Sequence, residues 1–273
     1  MIKEIVKIVL IGIITLSFTA CENNTQSTKK KEIKYTASLP LPEWDESLSK
    51  KIGKYGSMWH HAKNDPIPAT QIGYAYSEKL KDYDKAIEWF KYSNSMKPMP
   101  ENSNYMCYAY QMKKEYEEAI NWCKNAIELG SDEALLLLGN AYTELNNYAE
   151  SISWIKKAYE KKNPDAAINL GYSYSKLGEY KKAEKWYKIA IKNNDYEAYK
   201  NLSTLYNEKL KDNIKASAYA IAVINTKYSK SSVLKVLKNE MKIPNETIKK
   251  GYKLQLNSDE FPIKFKGELG LEK

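Results

Sequence analysis

The chain has 273 residues, 43% of them apolar with 23 Tyr and 6 Trp, enough to bury a substantial core in one large or two small domains. Its formal net charge is +9, yet every one of the 43 basic residues is Lys, and these are spread between acids along the sequence. Arg supplies most bidentate recognition of bases and phosphates, so the charge reads as a solvated surface and argues against a nucleic-acid partner. A basic surface also suits anionic lipid headgroups.

Lys3 and Lys7 open the chain, and Ile8 to Phe18 then runs almost wholly apolar. That core is too short to stay across a bilayer and has the usual length of a signal-peptide core, so residues 1–20 are expected to be a signal peptide. Thr19-Ala20-Cys21 follows directly. A lone Cys after Ala at this point resembles the lipobox of bacterial lipoproteins, with Phe18 where Leu is usual. The resemblance implies that Cys21 becomes the lipidated N-terminal residue; several acyl chains anchor firmly where one binds marginally. Glu22 stands where inner-membrane lipoproteins often carry Asp, which points to the periplasmic side of the outer membrane. Residues 21–40 form a polar stretch with three consecutive lysines, read as a tether reaching ~25 Å.

Residues 41–65, with Trp44 and Trp59, are expected to form an N-terminal helical cap. From residue 66 to 226 one pattern recurs five times. Trp89, Trp122, Trp154, Trp186 and Tyr219 stand 33, 32, 32 and 33 residues apart. Three residues before each lies Ala86, Ala119, Ser151, Ala183 or Ala216, and four after lies Ser93, Ala126, Ala158, Ala190 or Val223. Upstream, Tyr76, Tyr110, Tyr142, Tyr174 and Tyr206 hold the same register. Spacings of three and four define two helices per repeat, with small residues letting backbones approach and large aromatics filling the wedge between pairs. One buried aromatic contributes ~2–3 kcal/mol, so a single repeat cannot stand alone but a stack can. Gly130 and Gly178 mark chain reversals, Ser131 and Asn163 read as caps, and Pro164 as a helix opener. The first and last repeats share an extra inner-turn residue, in "SEKLKDYDKA" and "NEKLKDNIKA". The fold expected is therefore all-α, a right-handed α-solenoid of about five helix–turn–helix repeats with helical caps.

Residues 227–257 read as a C-terminal helical cap broken at Pro244 with Asn245 as its cap residue. Residues 258–273 read as an extended tail, in which Phe261, Ile263 and Phe265 alternate like a strand while Pro262 limits them to an edge or a docked segment.

The segments "YSYSKLGEYKKAEKWYKIAI" and "YTELNNYAESISWIKKAY" resemble the tetratricopeptide repeat. The links "ELGSDEALLLLGNAY" and "KKNPDAAINLGYSY" resemble its relative, the SEL-one-like repeat. That resemblance implies a protein-binding scaffold.

No catalytic constellation is legible. His60 and His61 are the only histidines, and neighbours on a helix point about 100° apart, so they make no metal pair. There is no Gly-rich phosphate loop and no nucleophile beside a His. No metal, cofactor or small-molecule substrate is expected, and the chain reads as a non-enzyme. With Cys21 lipidated, Cys107 and Cys123 remain as a pair on the two helices of one repeat; they can form a disulfide or fill the seam as small residues.

What remains is the concave groove lined by first helices. Two residues before each first-helix tyrosine stand Tyr74, Tyr108, Asn140, Tyr172 and Thr204; two residues after stand Glu78, Met112, Glu144, Lys176 and Glu208. Exposed Tyr is rigid, amphipathic binding chemistry. The function expected is a membrane-anchored periplasmic interaction module that binds a partner protein or peptide in this groove. Family resemblance suggests a narrower role, an immunity protein neutralising a type VI secreted phospholipase toxin; a cell-envelope assembly adaptor is a further option that differs in partner and not in fold.

Overall fold

The computed structural model describes residues 35–44 and 50–271. The expectations for the signal peptide, for Cys21 and for the tether as far as residue 34 lie outside the described residues. Thirteen α-helices follow in chain order among the described residues. A 3-10 turn, Gly53–Met58, leads into the short α1 (Trp59–Ala62). Five antiparallel pairs come next: α2 (Pro66–Ala75) with α3 (Tyr83–Met96), α4 (Pro100–Met112) with α5 (Tyr116–Glu128), and α6 (Ala134–Glu144) with α7 (Tyr148–Glu160). The last two pairs are α8 (Ala166–Lys176) with α9 (Tyr180–Lys192), and α10 (Glu197–Leu205) with α11 (Asn213–Ala222). Two further helices, α12 (Lys230–Lys235) and α13 (Asn245–Asn257), complete the set. Each helix of the pairs packs on the one before and the one after, so the described residues stack as an all-α solenoid.

The pairs close on one recurring hydrogen bond. The carbonyl of Tyr110, Tyr142 or Tyr174 accepts from the amide of Glu115, Asn147 or Glu179, each at 2.9 Å. In the first and last repeats Tyr76 and Tyr206 accept from Asp82 (3.1 Å) and Asp212 (2.9 Å), one residue further on. The extra residue is absorbed as a π turn, Tyr76–Leu80 and Tyr206–Leu210, so the same bond still ends the first helix. At each of these turns one residue takes the left-handed conformation: Lys81, Lys114, Asn146, Gly178 and Lys211. Only Gly178, at φ +85°, does so without a side chain to crowd the backbone.

The repeat columns form the core. Ala86, Ala119, Ser151, Ala183 and Ala216 are all fully buried, and the first-helix tyrosines are buried apart from a half-exposed Tyr142. In the first, third and fourth pairs a close backbone approach falls one residue past the rung of the aromatic ladder. A Cβ on Gly73 would lie 2.6 Å from the Phe90 ring, one on Gly139 2.3 Å from Ile155, and one on Gly171 2.5 Å from Tyr187. The equivalent place in the second repeat is taken by Cys107 against Cys123, whose sulfurs are joined with Cα atoms 5.1 Å apart. Two clusters of buried polar side chains are satisfied within the seams: Thr70, Ser93 and Asn102 bond one another, as do Thr143, Ser151 and Ser173.

The ladder differs from expectation. Trp89 and Tyr219 are fully buried, but Trp122, Trp154 and Trp186 are half-buried. Their place in the inter-helix wedge belongs to the next residue, since Ile155 and Tyr187 are buried where Trp154 and Trp186 are not. The half-buried rungs instead tie neighbouring units: Trp186 meets Tyr159 edge-on at 4.8 Å, and Trp154 packs against both halves of the core.

At the N-terminal end Trp44 stacks on Trp59 at 5.3 Å, and Trp59 meets Trp89 edge-on at 5.8 Å. At the other end α13 lies along α11, with no room at Gly251 for a side chain, since a Cβ there would sit 2.5 Å from Ser217 Cβ. Two capping expectations are corrected. Pro244 holds the N-cap position of α13 and Asn245 is its first helical residue, because Pro cannot donate the amide that a continued helix would need. Pro164 lies in the turn before α8, which starts at Ala166 with Asp165 at its N-cap. The tail forms no strand among the described residues. It docks as an extended segment: the Gln255 side-chain amide donates to the Phe265 carbonyl (2.7 Å) and accepts from its N–H (3.1 Å). Phe261 and Phe265 are buried, and Ile263 is half-buried.

Candidate partner-binding groove

Helical spacing sets the groove. Residues two before and two after each first-helix tyrosine stand four apart and share a face, turned away from the tyrosine-filled core. Tyr74 and Tyr172 are 37% and 41% exposed, while Tyr76 and Tyr174 are buried, so first-helix tyrosines divide between a core face and a solvent face. Tyr108, Asn140 and Thr204 are half-exposed. In the second column Glu78 is half-exposed and pairs with Lys81 at 3.3 Å, Met112 is 46% exposed, and Glu144 accepts from the Tyr116 hydroxyl at 3.3 Å. Lys176 holds its ammonium 5.2 Å from the Tyr172 ring, and Glu208 is exposed.

The columns do not converge on a single point, and they gather at two ends. Toward the N-terminal end a row of rings forms, Tyr55 to Tyr74 at 6.4 Å, Tyr74 to Tyr105 at 5.4 Å, and Tyr105 stacked on the buried Phe90 at 5.3 Å. Tyr83 meets Tyr108 edge-on beside it at 6.5 Å. Burial holds the Tyr105 phenol above its usual range, and Tyr74, Glu133, Glu101 and Tyr55 push it further. Burial likewise raises Tyr108, with Glu78 adding to the effect. Toward the C-terminal end Tyr172, Lys176, Asn201, Thr204 and Glu208 line a recess of about 320 Å³. Thr204 and Glu208 also border a second cavity of about 340 Å³, lined as well by Val233 of α12 and by Val236 and Met241 just after it.

A third column was missed in the sequence. Nine residues before the first-helix tyrosines stand Ile67, Glu101, Glu133, Asp165 and Glu197. The signal was available, because the same ladder that locates Tyr74 and Glu78 locates these acids. Glu101, Glu133 and Asp165 are exposed, and Glu197 is half-exposed, accepting from the Tyr228 hydroxyl at 2.7 Å.

His60 and His61 are exposed beside the N-terminal cap. Among the described residues no cluster of His, Cys, Asp and Glu is placed to hold a metal, and no helix is long and apolar enough to cross a membrane.

Comparison with known proteins agrees with this geometry. Residues 164–195 match a family model described as tetratricopeptide repeat, and residues 79–158 match one described as anaphase-promoting complex, cyclosome, subunit 3. Curated protein sequences give no match. Among solved structures, one of Pseudomonas aeruginosa PilF superposes with a TM-score of 0.56 at 14% identity, covering 74% of this chain and 96% of that one. MamA from Desulfovibrio magneticus RS-1 gives 0.52 at 14% identity, covering 64% and 96%. A protein described as a thermophilic TPR protein in Thermus thermophilus gives 0.51 at 19% identity, covering 65% and 100%. The described residues form an all-α solenoid of helical hairpins, with tetratricopeptide repeat sequence matched over residues 164–195.

Proposed function

We propose that the chain is a non-catalytic interaction module, anchored to a membrane through lipidated Cys21, that grips a segment of a partner protein along its first-helix face. The observation that carries this reading is the division of the tyrosines. The core column is buried while Tyr74 and Tyr172 stand exposed on the opposite side of the same helices. An exposed large aromatic costs hydration free energy that a partner recovers on covering it, and Tyr does so with little loss of side-chain entropy. Immunity to a secreted phospholipase and envelope assembly use this same surface and differ only in the partner.

The test is recovery of partners from membrane fractions with the intact chain and with Tyr74, Tyr108 and Tyr172 replaced by Ala. The triple variant is expected to keep its helical circular dichroism and lose the partner. Unchanged recovery would sink the groove reading. Cys21→Ser is expected to move the chain from membrane to soluble fractions without altering partner recovery in detergent extracts, which separates anchoring from binding.

A further inference from the structure

Three columns share the first-helix face at helical spacing, nine residues before, two before and two after each core tyrosine. The outer two columns hold seven acids against a single lysine, Lys176, in a chain whose net charge is +9. Carboxylates in a first helical turn complement the helix dipole, and Glu197 is already engaged by Tyr228 and by Lys227 at 3.3 Å. Glu101 and Glu133 differ from Glu197 in what lies beside them. Glu101 stands one helical turn before Tyr105 on α4, and Glu133 accepts from the Asn104 side chain at 3.2 Å next to it, while Tyr105 stands in the row with Tyr74 and Tyr55.

The chain shows what such rings accept. Lys54 and Lys79 hold ammonium groups 5.3 and 5.2 Å from the Tyr55 centroid, and Lys176 does the same at Tyr172. Among the described residues no lysine ammonium stands over the ring of Tyr74 or Tyr105, the rings beside Glu101 and Glu133. A ring face flanked by carboxylates attracts a cation twice over, through its quadrupole and through direct charge.

We propose that the N-terminal half of the groove seats a Lys- or Arg-bearing extended segment of the partner protein, with its cationic head over Tyr74 and Tyr105 between Glu101 and Glu133. This rests on the groove reading above and names the chemistry that the groove selects. The overall basic charge of the chain is set elsewhere on its surface, and the groove selects against acidic segments by repulsion.

The probes are three peptides of about ten residues, alternating Ser with Lys, Gln or Glu, titrated into the full chain. The Lys peptide is expected to bind more tightly than the other two and to weaken as salt rises from about 0.05 to 0.3 M. Glu101→Gln with Glu133→Gln, both at exposed positions, is expected to weaken the Lys peptide by about three- to tenfold. Equal or tighter binding of the Glu peptide overturns the proposal, as does an unchanged affinity in the Gln variant or no Lys-peptide binding at about 1 mM. The two readings fail separately. A partner lost with the tyrosine variant but kept with the Gln variant leaves the groove intact and removes its cation preference.

Discussion

Gly251→Ala tests how tightly the last helix is docked. The added methyl would sit 2.5 Å from Ser217 Cβ, 2.7 Å from the Ile214 carbonyl oxygen and 2.9 Å from the Ala218 nitrogen. Two of those three atoms are backbone of α11, so no rotamer change relieves the clash, and α13 must move away along its length. Overpacking of this kind costs ~1–3 kcal/mol. Replacing Gly by Ala inside a helix returns up to ~1 kcal/mol through propensity. Overpacking wins, for a net destabilisation of about 1–2 kcal/mol, or ~2–8 °C in melting temperature for a domain of this size. Thermal melting by circular dichroism reads the size of the effect, and hydrogen exchange reads its place, with protection expected to fall first in α11, α13 and the tail. Adding Ser217→Gly removes the nearest of the three atoms, so the double variant should recover part of the loss. A Gly251→Ala protein that melts at or above the parent temperature would refute the close packing of α13 on α11.

Two further predictions concern cross-links between distant parts of the chain. The Cys107–Cys123 bond closes a loop across 16 residues, which chain entropy values at ~3 kcal/mol. Reductant should lower the melting temperature, and Cys107→Ala with Cys123→Ala should match the reduced parent; melting unaffected by reductant removes the bond from the stability account. The tail is held by Lys188, which pairs with Glu260 at 2.6 Å and Glu184 at 2.7 Å, while the hydroxyls of Tyr219 and Tyr206 donate to the same two carboxylates. Burial opposes ionisation of Glu184 and Glu260, but the hydrogen bonds from Lys188 and the tyrosines outweigh it and hold both carboxyls below their ordinary value of 4.5. A depressed carboxyl stabilises above its unfolded value and loses that contribution as pH falls through the folded one. The clasp should therefore hold at neutral pH and open only as pH falls below the ordinary carboxylate range. Glu260→Gln should expose residues 258–271 to limited proteolysis already at pH 7, and equal protection of both proteins at all pH values would show the clasp to be idle.

The helical hairpins were legible because the core columns are small or aromatic at fixed spacing, and helix packing admits few other residues there. Burial along the aromatic ladder was not legible. Trp154 and Ile155 are adjacent apolar residues, and only the rotation of α7 about its axis decides which one enters the seam opposite Gly139. The shared length of the first and last inner turns was visible in "SEKLKD" and "NEKLKD", but its expression as a π turn depends on the tyrosine carbonyl keeping its bond to an amide one residue further on. The Gln255 clasp had no signal at all, since a lone glutamine in an amphipathic helix looks like any solvated residue. The Glu101 and Glu133 column was readable, and was overlooked because helix-opening acids are so ordinary that they explain themselves.

The paired π turns bear on valency. Residues 76–82 and 206–212 share the pattern Tyr-x-Glu-Lys-Leu-Lys-Asp, four repeats apart, so Glu78 and Glu208 present the same chemistry at opposite ends of the array. Successive first helices from α4 to α10 touch directly, so four spacings of ~8–10 Å separate them along the groove, a span on the order of 35 Å. An extended chain advances ~3.3 Å per residue, so about eleven residues are needed to reach from one to the other. On the groove reading proposed above, a shorter ligand would meet two independent docking points and a longer one would engage both, converting two weak contacts into one through the effective concentration of its own linker.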